Sequence, residues 1–209
     1  MSPRTAAAVR DGDRSLRDHL VATAERLIAE RGMADLTVRA IARAAGVADG
    51  VLYNHFADKD ELLAEAWWAR IRAVEQSLPA LPVPGEGTVA DGVRAHLAYG
   101  LGFHQAVMPG MSTLLVRPEF LARIAAAHPP AEDWRDRLLA WLRAERDLGR
   151  IAASAPVDAV AAMIVGVCHE TVLNHLLRGI PATPEPPPST WLDDLVRAVL
   201  PALTSPTAP

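Results

Sequence analysis

Apolar positions in the first part of the chain follow the three-to-four-residue spacing of amphipathic helices. The first stripe ends at Arg31 and Gly32, a basic last turn followed by a glycine that can end a helix. A second stripe lies between Thr37, whose hydroxyl can cap a helix, and Gly46, which permits a tight turn. The apolar members of the two stripes are Leu16, Leu20, Ala24, Leu27 and Ile28, then Val38, Ile41, Ala42 and Ala45. The spacing predicts two helices joined by a short connection.

A third, shorter helix is predicted directly after Gly46, with Val47, Val51 and Leu52 on its inner face. Its outward residues are Asp49, Gly50, Tyr53 and Asn54. Asp58 and Glu61 have the spacing of a capping box, which predicts the start of a fourth helix. Two short helices around a tight turn form a helix-turn-helix, which places one helix in the major groove of DNA.

This stretch resembles the N-terminal domain of the TetR family of transcriptional regulators over roughly residues 14–75. The resemblance rests on L-T-V-R-x-I-A at 36–42, A-G-V at 45–47, L-Y-x-H-F at 52–56 and K-x-E-L-L at 59–63. It implies that the second short helix reads the groove while flanking side chains contact phosphates. The residues it implies for DNA binding are Thr37, Arg39, Ala48, Asp49, Gly50, Tyr53, Asn54, His55 and Lys59.

Two of these residues stand out. The family often has a neutral or basic residue where this chain has Asp49, which can accept a hydrogen bond from cytosine N4 or, alternatively, cap the recognition helix. Lys59, at the position of a phosphate clamp, is the only lysine in the chain. Because the net charge is −4, we expect binding to depend on local geometry and to show a shallow dependence on salt.

Beyond residue 75 the chain continues as helical segments divided by Pro- and Gly-rich stretches. The composition of 79–87 is typical of a linker, and the next helix is predicted to start after Thr88 and to break at 108–111, before a short apolar piece at 114–116. Further helices are predicted at about 118–128, 131–148, 156–178 and 189–203, with a Pro-rich loop at 181–188.

The predicted fold is therefore all-α, since no segment shows the alternation of a strand. It comprises about nine helices in two parts. An N-terminal three-helix helix-turn-helix domain at 14–60 precedes a C-terminal helical ligand-binding and dimerisation domain at 61–203. Residues 1–13 and 204–209 are predicted to form a disordered arm and a disordered tail.

The resemblance further implies a homodimer, in which the last two helices pair with their copies as a four-helix bundle. Such a dimer would read a palindrome in double-stranded DNA. The helix at 156–178 is nearly apolar over 157–167 and is expected to be buried on most sides. The residues predicted to supply apolar area at the interface are Val160, Met163, Val167, Leu195 and Val199. The alternative is that these helices form only the core of the monomer.

A small-molecule effector in the C-terminal domain is also implied by the resemblance, most often one that releases a repressor from its operator. The candidates are aromatic, methionine or isolated polar residues on apolar faces, a mixture that small-molecule sites favour. They are Trp67, Phe103, His104, Met108, Met111, Phe120, Trp134, Trp141, Met163, His169 and Asn174. Each is alternatively a core residue. Because charged groups are scarce among them, the effector is predicted to be largely apolar.

Other chemistry finds little support in the sequence. Cys168, His169 and His175 do not converge as metal ligands would, so no metal, cofactor or catalytic residue is predicted. One cysteine excludes an internal disulfide, and without a secretory signal or a membrane-spanning run the chain is expected to be soluble and cytoplasmic, with no membrane partner. The alternative function is a helical enzyme or small-molecule-binding protein with a vestigial helix-turn-helix.

Overall fold

The computed structural model describes residues 3–34, 36–127, 133–179 and 189–204, with side chains from residue 15 onward except those of residues 112, 113, 115 and 127. Within these ranges the chain is helical and contains no strand. The helices are α1 (Pro3–Arg31), α2 (Val38–Ala45), α3 (Asp49–His55), α4 (Lys59–Ser77), α5 (Val89–Leu115), α6 (Pro118–Ala127), α7 (Trp134–Asp147), α8 (Val157–Leu177) and α9 (Ser189–Thr204). The predicted all-α fold with about nine helices is confirmed.

The chain divides into two compact units. The first unit is Met1–Glu75 with Pro109–Pro129, and the second unit is Gln76–Met108 with Pro130–Pro209. This division differs from the predicted domain boundary at 60/61, because it falls within α4 and α5. Helix α6 belongs to the first unit since it packs on α4, where the Trp68 indole N–H donates to the carbonyl of Ile124 at 3.3 Å.

The core of the first unit forms where the apolar stripes predict it. Leu20 and Ala24 of α1, Ile41 of α2 and Leu63 of α4 are fully buried, and Leu52 of α3 is nearly so. Glycines end α1 and α2 as expected, since Gly32 has φ 75° and Gly46 has φ 73°, in the left-handed region that favours glycine. These local signals fix the lengths of the short helices.

Two predictions about helix ends are wrong. Helix α1 begins at Pro3, so residues 3–13 are helical rather than a disordered arm; alanines at 6–8 favour a helix and proline is tolerated in a first turn. Helix α5 does not break at 108–111 but continues with Pro109 inside it. The reason lies in packing, because a Cβ on Gly110 would overlap the ring of Trp67, so this glycine serves close contact between α4 and α5.

Helix α8 is less buried than expected. Only one stripe of it faces the second unit, formed by Val157, Val160, Ala161, Ile164, Cys168 and Val172. Met163 is 56% exposed and Leu177 is 78% exposed in the single chain. By length and composition α8 is also long and apolar enough to cross a membrane, although Asp158 and Glu170 interrupt its apolar run, as expected from the sequence for every segment.

Five predicted features fall wholly or partly outside the described residues. They are the first two residues of the arm at 1–13, the end of the helix at 118–128, the start of the helix at 131–148, the Pro-rich loop at 181–188 and the tail at 204–209.

Candidate functional site

Hydrogen bonds cap both ends of α2, and its second end leads into the turn before α3. Thr37 accepts a bond from the amide of Ala40 at 3.1 Å through its Oγ1, which caps α2 as predicted. At the other end the amides of Gly46 and Val47 donate to the carbonyls of Arg43 and Ala42 at 3.3 and 3.0 Å. These bonds satisfy backbone groups that a helix end leaves without intrahelical partners, so the angle between α2 and α3 is well defined.

The outer face of α3 is open to solvent. Tyr53 is 60% exposed, and Ala48, Asp49, Gly50 and Asn54 are exposed beside it. Leu52 is buried and anchors the helix to the unit. The structure thus brings the predicted reading residues onto one accessible surface, and it leaves His55 half-buried at the end of the helix.

Arg39 and Asp49 form an ion pair across the turn. The Nε of Arg39 donates to Oδ2 of Asp49 at 3.2 Å, with the arginine side chain 81% exposed and the aspartate 50% exposed. Sequence reasoning considered Asp49 as a base reader or a helix cap, and it missed this pairing. The ten-residue separation across a turn carries no local signal that would have revealed it.

Lys59 lies at the start of α4, beside a braced helix end. The Glu61 amide donates to Oδ1 of Asp58 at 2.9 Å, and the Ala57 amide donates to Oε2 of Glu61 at 2.7 Å. The capping pair is therefore present, with the glutamate reaching the residue before the cap. Arg123 of α6 adds two bonds to the carboxylate of Asp58, at 2.9 and 3.0 Å.

This brace changes the chemistry of the cap and extends along α4. The hydrogen bonds from Arg123, and then the backbone bond from Glu61, lower the pKa of Asp58, so the carboxylate stays charged at lower pH than an ordinary aspartate does. Arg117 donates to Oδ2 of Asp60 at 2.8 Å. Two arginines at or next to α6 therefore hold the helix end that carries Lys59.

Comparison with known proteins agrees with this architecture. A family model described as bacterial regulatory proteins, tetR family, matches residues 20–66, which span the helix-turn-helix and its supporting helices. Residues 20–66 therefore match the N-terminal domain of the TetR family. The match covers the part of the chain on which the resemblance was based, so the family predicted from the motifs is confirmed.

Individual relatives match over short stretches of sequence. The transcriptional repressor KstR2 of Mycobacterium tuberculosis (strain CDC 1551 / Oshkosh) is 47% identical over 51 residues, 24% of this chain and 26% of KstR2. The transcriptional regulator AcrR of Shigella flexneri is 41% identical over 51 residues, 24% of each chain. The matches thus span only about a quarter of these TetR-type relatives.

Similarity across the remaining helices is found in solved structures. The flavonoid-responsive regulator FrrA superposes with a TM-score of 0.62 at 22% identity, over 89% of this chain and 93% of that one. At this identity the likeness shows the TetR fold of the whole chain and no more.

In the second unit, α5 and α7 meet along a seam of small and aromatic residues. Gly92, His96, Gly100 and His104 follow one another at four-residue spacing on α5, which places them on one face. A Cβ on Gly92 would overlap the Trp141 ring, and one on Gly100 would overlap the Trp134 ring. The two indoles of α7 therefore lie in notches that the glycines leave open.

Histidines flank both indoles. The ring centroids of His96 and Trp141 are 5.0 Å apart. His104 lies 5.4 Å from Trp134 and 4.3 Å from His169 by ring centroids, and its Nδ1 is 2.5 Å from the carbonyl of Gly100, to which it donates. We call the set of Gly92, His96, Gly100, His104, Trp134 and Trp141 the α5–α7 seam.

Burial keeps the seam histidines neutral. Desolvation lowers the pKa of His96 to about 4, with the charge of Arg137 contributing. Desolvation also lowers the pKa of His104 to about 4, against the opposing effect of its bond to Gly100. Among the described residues, both ring nitrogens of His96 and the indole nitrogens of Trp134 and Trp141 are buried with no hydrogen-bond partner, which is uncommon for buried polar atoms.

The predicted effector residues fall in both units. Trp67, Met111 and Phe120 belong to the first unit, where Trp67 and Phe120 are buried core. The eight others belong to the second unit, and Phe103, His104, Trp134 and His169 are in aromatic contact there. Met163 and Asn174 lie on the exposed side of α8. Sequence reasoning missed His96 and the two glycines, which the four-residue spacing at 92–104 could have revealed.

The predicted dimer residues also separate into two groups. Val160 and Val199 are 1% and 6% exposed, so they belong to the core of their own unit and cannot supply much area to a partner. Met163 is exposed, and Val167 and Leu195 are half-buried. Val160 therefore lies on the buried side of α8, while Met163 lies on its open side.

Cys168 is a buried thiol. Desolvation raises its pKa to about 12, and its Sγ lies 3.8 Å from the carbonyl of Leu97. A thiolate, the reactive form, is therefore strongly disfavoured. Over the described part of the chain, no three histidine, cysteine or acidic side chains group as metal ligands would.

Proposed function

We propose that this protein is a cytoplasmic transcription regulator that binds palindromic double-stranded DNA as a homodimer and responds to a small, largely apolar effector, most often as a repressor released by that effector. The observation that carries the proposal is the exposed outer face of α3, which buried Leu52 anchors to the core and which a tight turn joins to the capped helix α2. A short helix presented in this way can enter a major groove, and a phenol such as Tyr53 suits contacts to phosphates. KstR2 is named a repressor, which supports the sign of control.

Phosphate contacts would come from both sides of α3. Thr37 caps the start of α2, and His55 and Lys59 lie at and beyond the end of α3. Because positive charge here is local while the chain as a whole carries −4, we expect few released counterions and a modest salt slope.

Dimerisation is supported by the open side of α8. Small residues Ala159, Ala162 and Gly166 are exposed on it together with Met163 and Leu173. An apolar helix face with small residues permits close approach of a second helix, and a two-fold dimer matches a palindrome. Pairing would bury a surface that otherwise stays in water, and it offers a reason for the apolar character of α8 in a cytoplasmic protein.

Effector binding is supported by the α5–α7 seam. Aromatic rings there offer apolar contacts, while buried indole N–H groups and neutral His96 offer hydrogen bonds that no described residue uses. FrrA, of the same fold, is named flavonoid-responsive. A neutral seam favours a neutral aromatic or apolar ligand with one or two polar groups, whose binding to one of two states would shift DNA affinity.

The test is selection of bound duplexes from a random pool by the purified protein at low salt. The proposal expects enrichment of a palindrome whose half-site centres lie about 34–36 Å apart, one DNA turn. Failure to enrich any sequence would reject the regulator, and turnover assays would then address the alternative of a helical enzyme.

A further inference from the structure

We infer that Asp49 is a positioning residue that holds Arg39 so that the free edge of its guanidinium reads one guanine in each half-site. This inference rests on the proposed DNA binding and assigns to that site a base and a pair of residues. It starts from the 3.2 Å bond between Arg39 Nε and Asp49 Oδ2.

The guanidinium of Arg39 keeps free donors when its Nε bonds to Asp49. Arginine has five N–H donors in a planar fork, and a bond at Nε leaves the four donors on Nη1 and Nη2. The side chain is 81% exposed, so this edge is accessible. Two parallel N–H groups match O6 and N7 of guanine in the major groove, the commonest specific contact of arginine.

The charge of Asp49 changes what Arg39 attracts. A lone arginine on this surface would be drawn to the nearest phosphate, but a carboxylate in contact with it repels phosphate and makes the pair neutral. A neutral pair gains little from counterion release, whereas its bidentate match to a base edge is retained. Asp49 therefore diverts Arg39 from the DNA backbone to a base.

The place of Asp49 in α3 puts the pair where bases are read. Asp49 is the first residue of α3, with exposed Gly50 beside it and Tyr53 one turn on. A guanidinium anchored there lies at the start of the reading face. Arg43, also exposed on α2, has no described bond to Asp49 and supplies a control of equal charge on the same helix.

The experiment compares duplex pools selected by the wild type and by Arg39→Ala, Asp49→Ala and Arg43→Ala. We expect one guanine per half-site in the wild-type pool to become degenerate with Arg39→Ala and with Asp49→Ala. On the selected duplex, discrimination at that base pair should fall roughly tenfold or more in both variants, while Asp49→Ala binds mismatched duplexes at least as well as the wild type. Arg43→Ala should keep the guanine.

The outcomes separate the two claims. If the wild type enriches no duplex, the DNA-binding proposal fails and this inference fails with it. If the wild type enriches a duplex but the guanine persists in either the Arg39→Ala or the Asp49→Ala pool, only the inference is overturned. A uniform loss of affinity in Arg39→Ala, without a change of base preference, would instead make Arg39 a phosphate contact. Melting curves of the variants, expected to match the wild type, exclude misfolding.

Discussion

Different kinds of contact stabilise the two units of this chain. In the first unit, charged side chains brace exposed helix ends, as Arg123 does at Asp58 and Arg117 at Asp60. In the second unit, the α5–α7 seam packs rings into glycine notches and buries polar atoms among them. We infer that the first unit keeps a rigid surface for recognition, while the second keeps buried polar groups to which no described residue bonds.

The largest expected effect is that lowering the pH destabilises the second unit more than the first. His96 and His104 have pKa values of about 4 in the fold against an ordinary 6.5, so between these pH values the unfolded chain binds more protons and stability falls as pH falls. The full effect is about 3 kcal/mol for each histidine. Asp58 has a lowered pKa, so its contribution persists until the pH falls below its ordinary range near 4.

Hydrogen exchange at pH 7 and pH 4.5 measures this separation. Amides of α5 and α7 should lose protection before those of α2 and α4. His96→Phe should weaken the acid effect, whereas His175→Gln, a change of an exposed histidine on α8, should leave it intact. Equal loss of protection in both units would contradict the contrast.

Filling a notch is the next largest perturbation. Gly100→Ala would drive a methyl group into the Trp134 ring, and overpacking of this kind costs about 1–3 kcal/mol. Gly50→Ala is the control, because a Cβ there has no neighbour within 4 Å and replacing glycine inside a helix gains up to about 1 kcal/mol. Urea unfolding of the two variants should shift in opposite directions; equal shifts would show that the seam is loosely packed.

Removing the brace should have the smallest effect on stability. Arg123→Ala breaks a pair that is about half exposed, so we expect only a small loss of stability. Its measurable effect should be on DNA binding, since Lys59 follows Asp58 directly. A melting temperature lowered as much as in Gly100→Ala would show that the first unit depends on surface charge far more than we infer.

Sequence reasoning succeeded where a signal and its effect lie within a few residues. The cap at Thr37, the turn at Gly46 and the Asp58–Glu61 pair were all predictable, because each acts on the nearest backbone groups. They define the helix-turn-helix and most of its exposed face.

It failed where the deciding partner is distant in the chain. Pro109 and Gly110 looked like a helix break, and only the contact with Trp67 explains why α5 continues. The bond of Arg39 to Asp49 and the notches beneath Trp134 and Trp141 likewise depend on a second helix. Val160 was predicted at the dimer interface from the apolar character of α8, but it is buried in the core of its own chain.

The most direct measurement of the central claim is a titration of the selected duplex with wild type, Lys59→Ala and Arg72→Ala over a range of salt concentrations. Lys59 lies at the proposed phosphate clamp, and Arg72 is an exposed cation farther along the same helix. We expect Lys59→Ala to weaken binding to all sequences and to lower the salt slope by about one. Arg72→Ala should change neither the affinity nor the salt slope. Equal effects of the two variants, or no effect of Lys59→Ala, would contradict it.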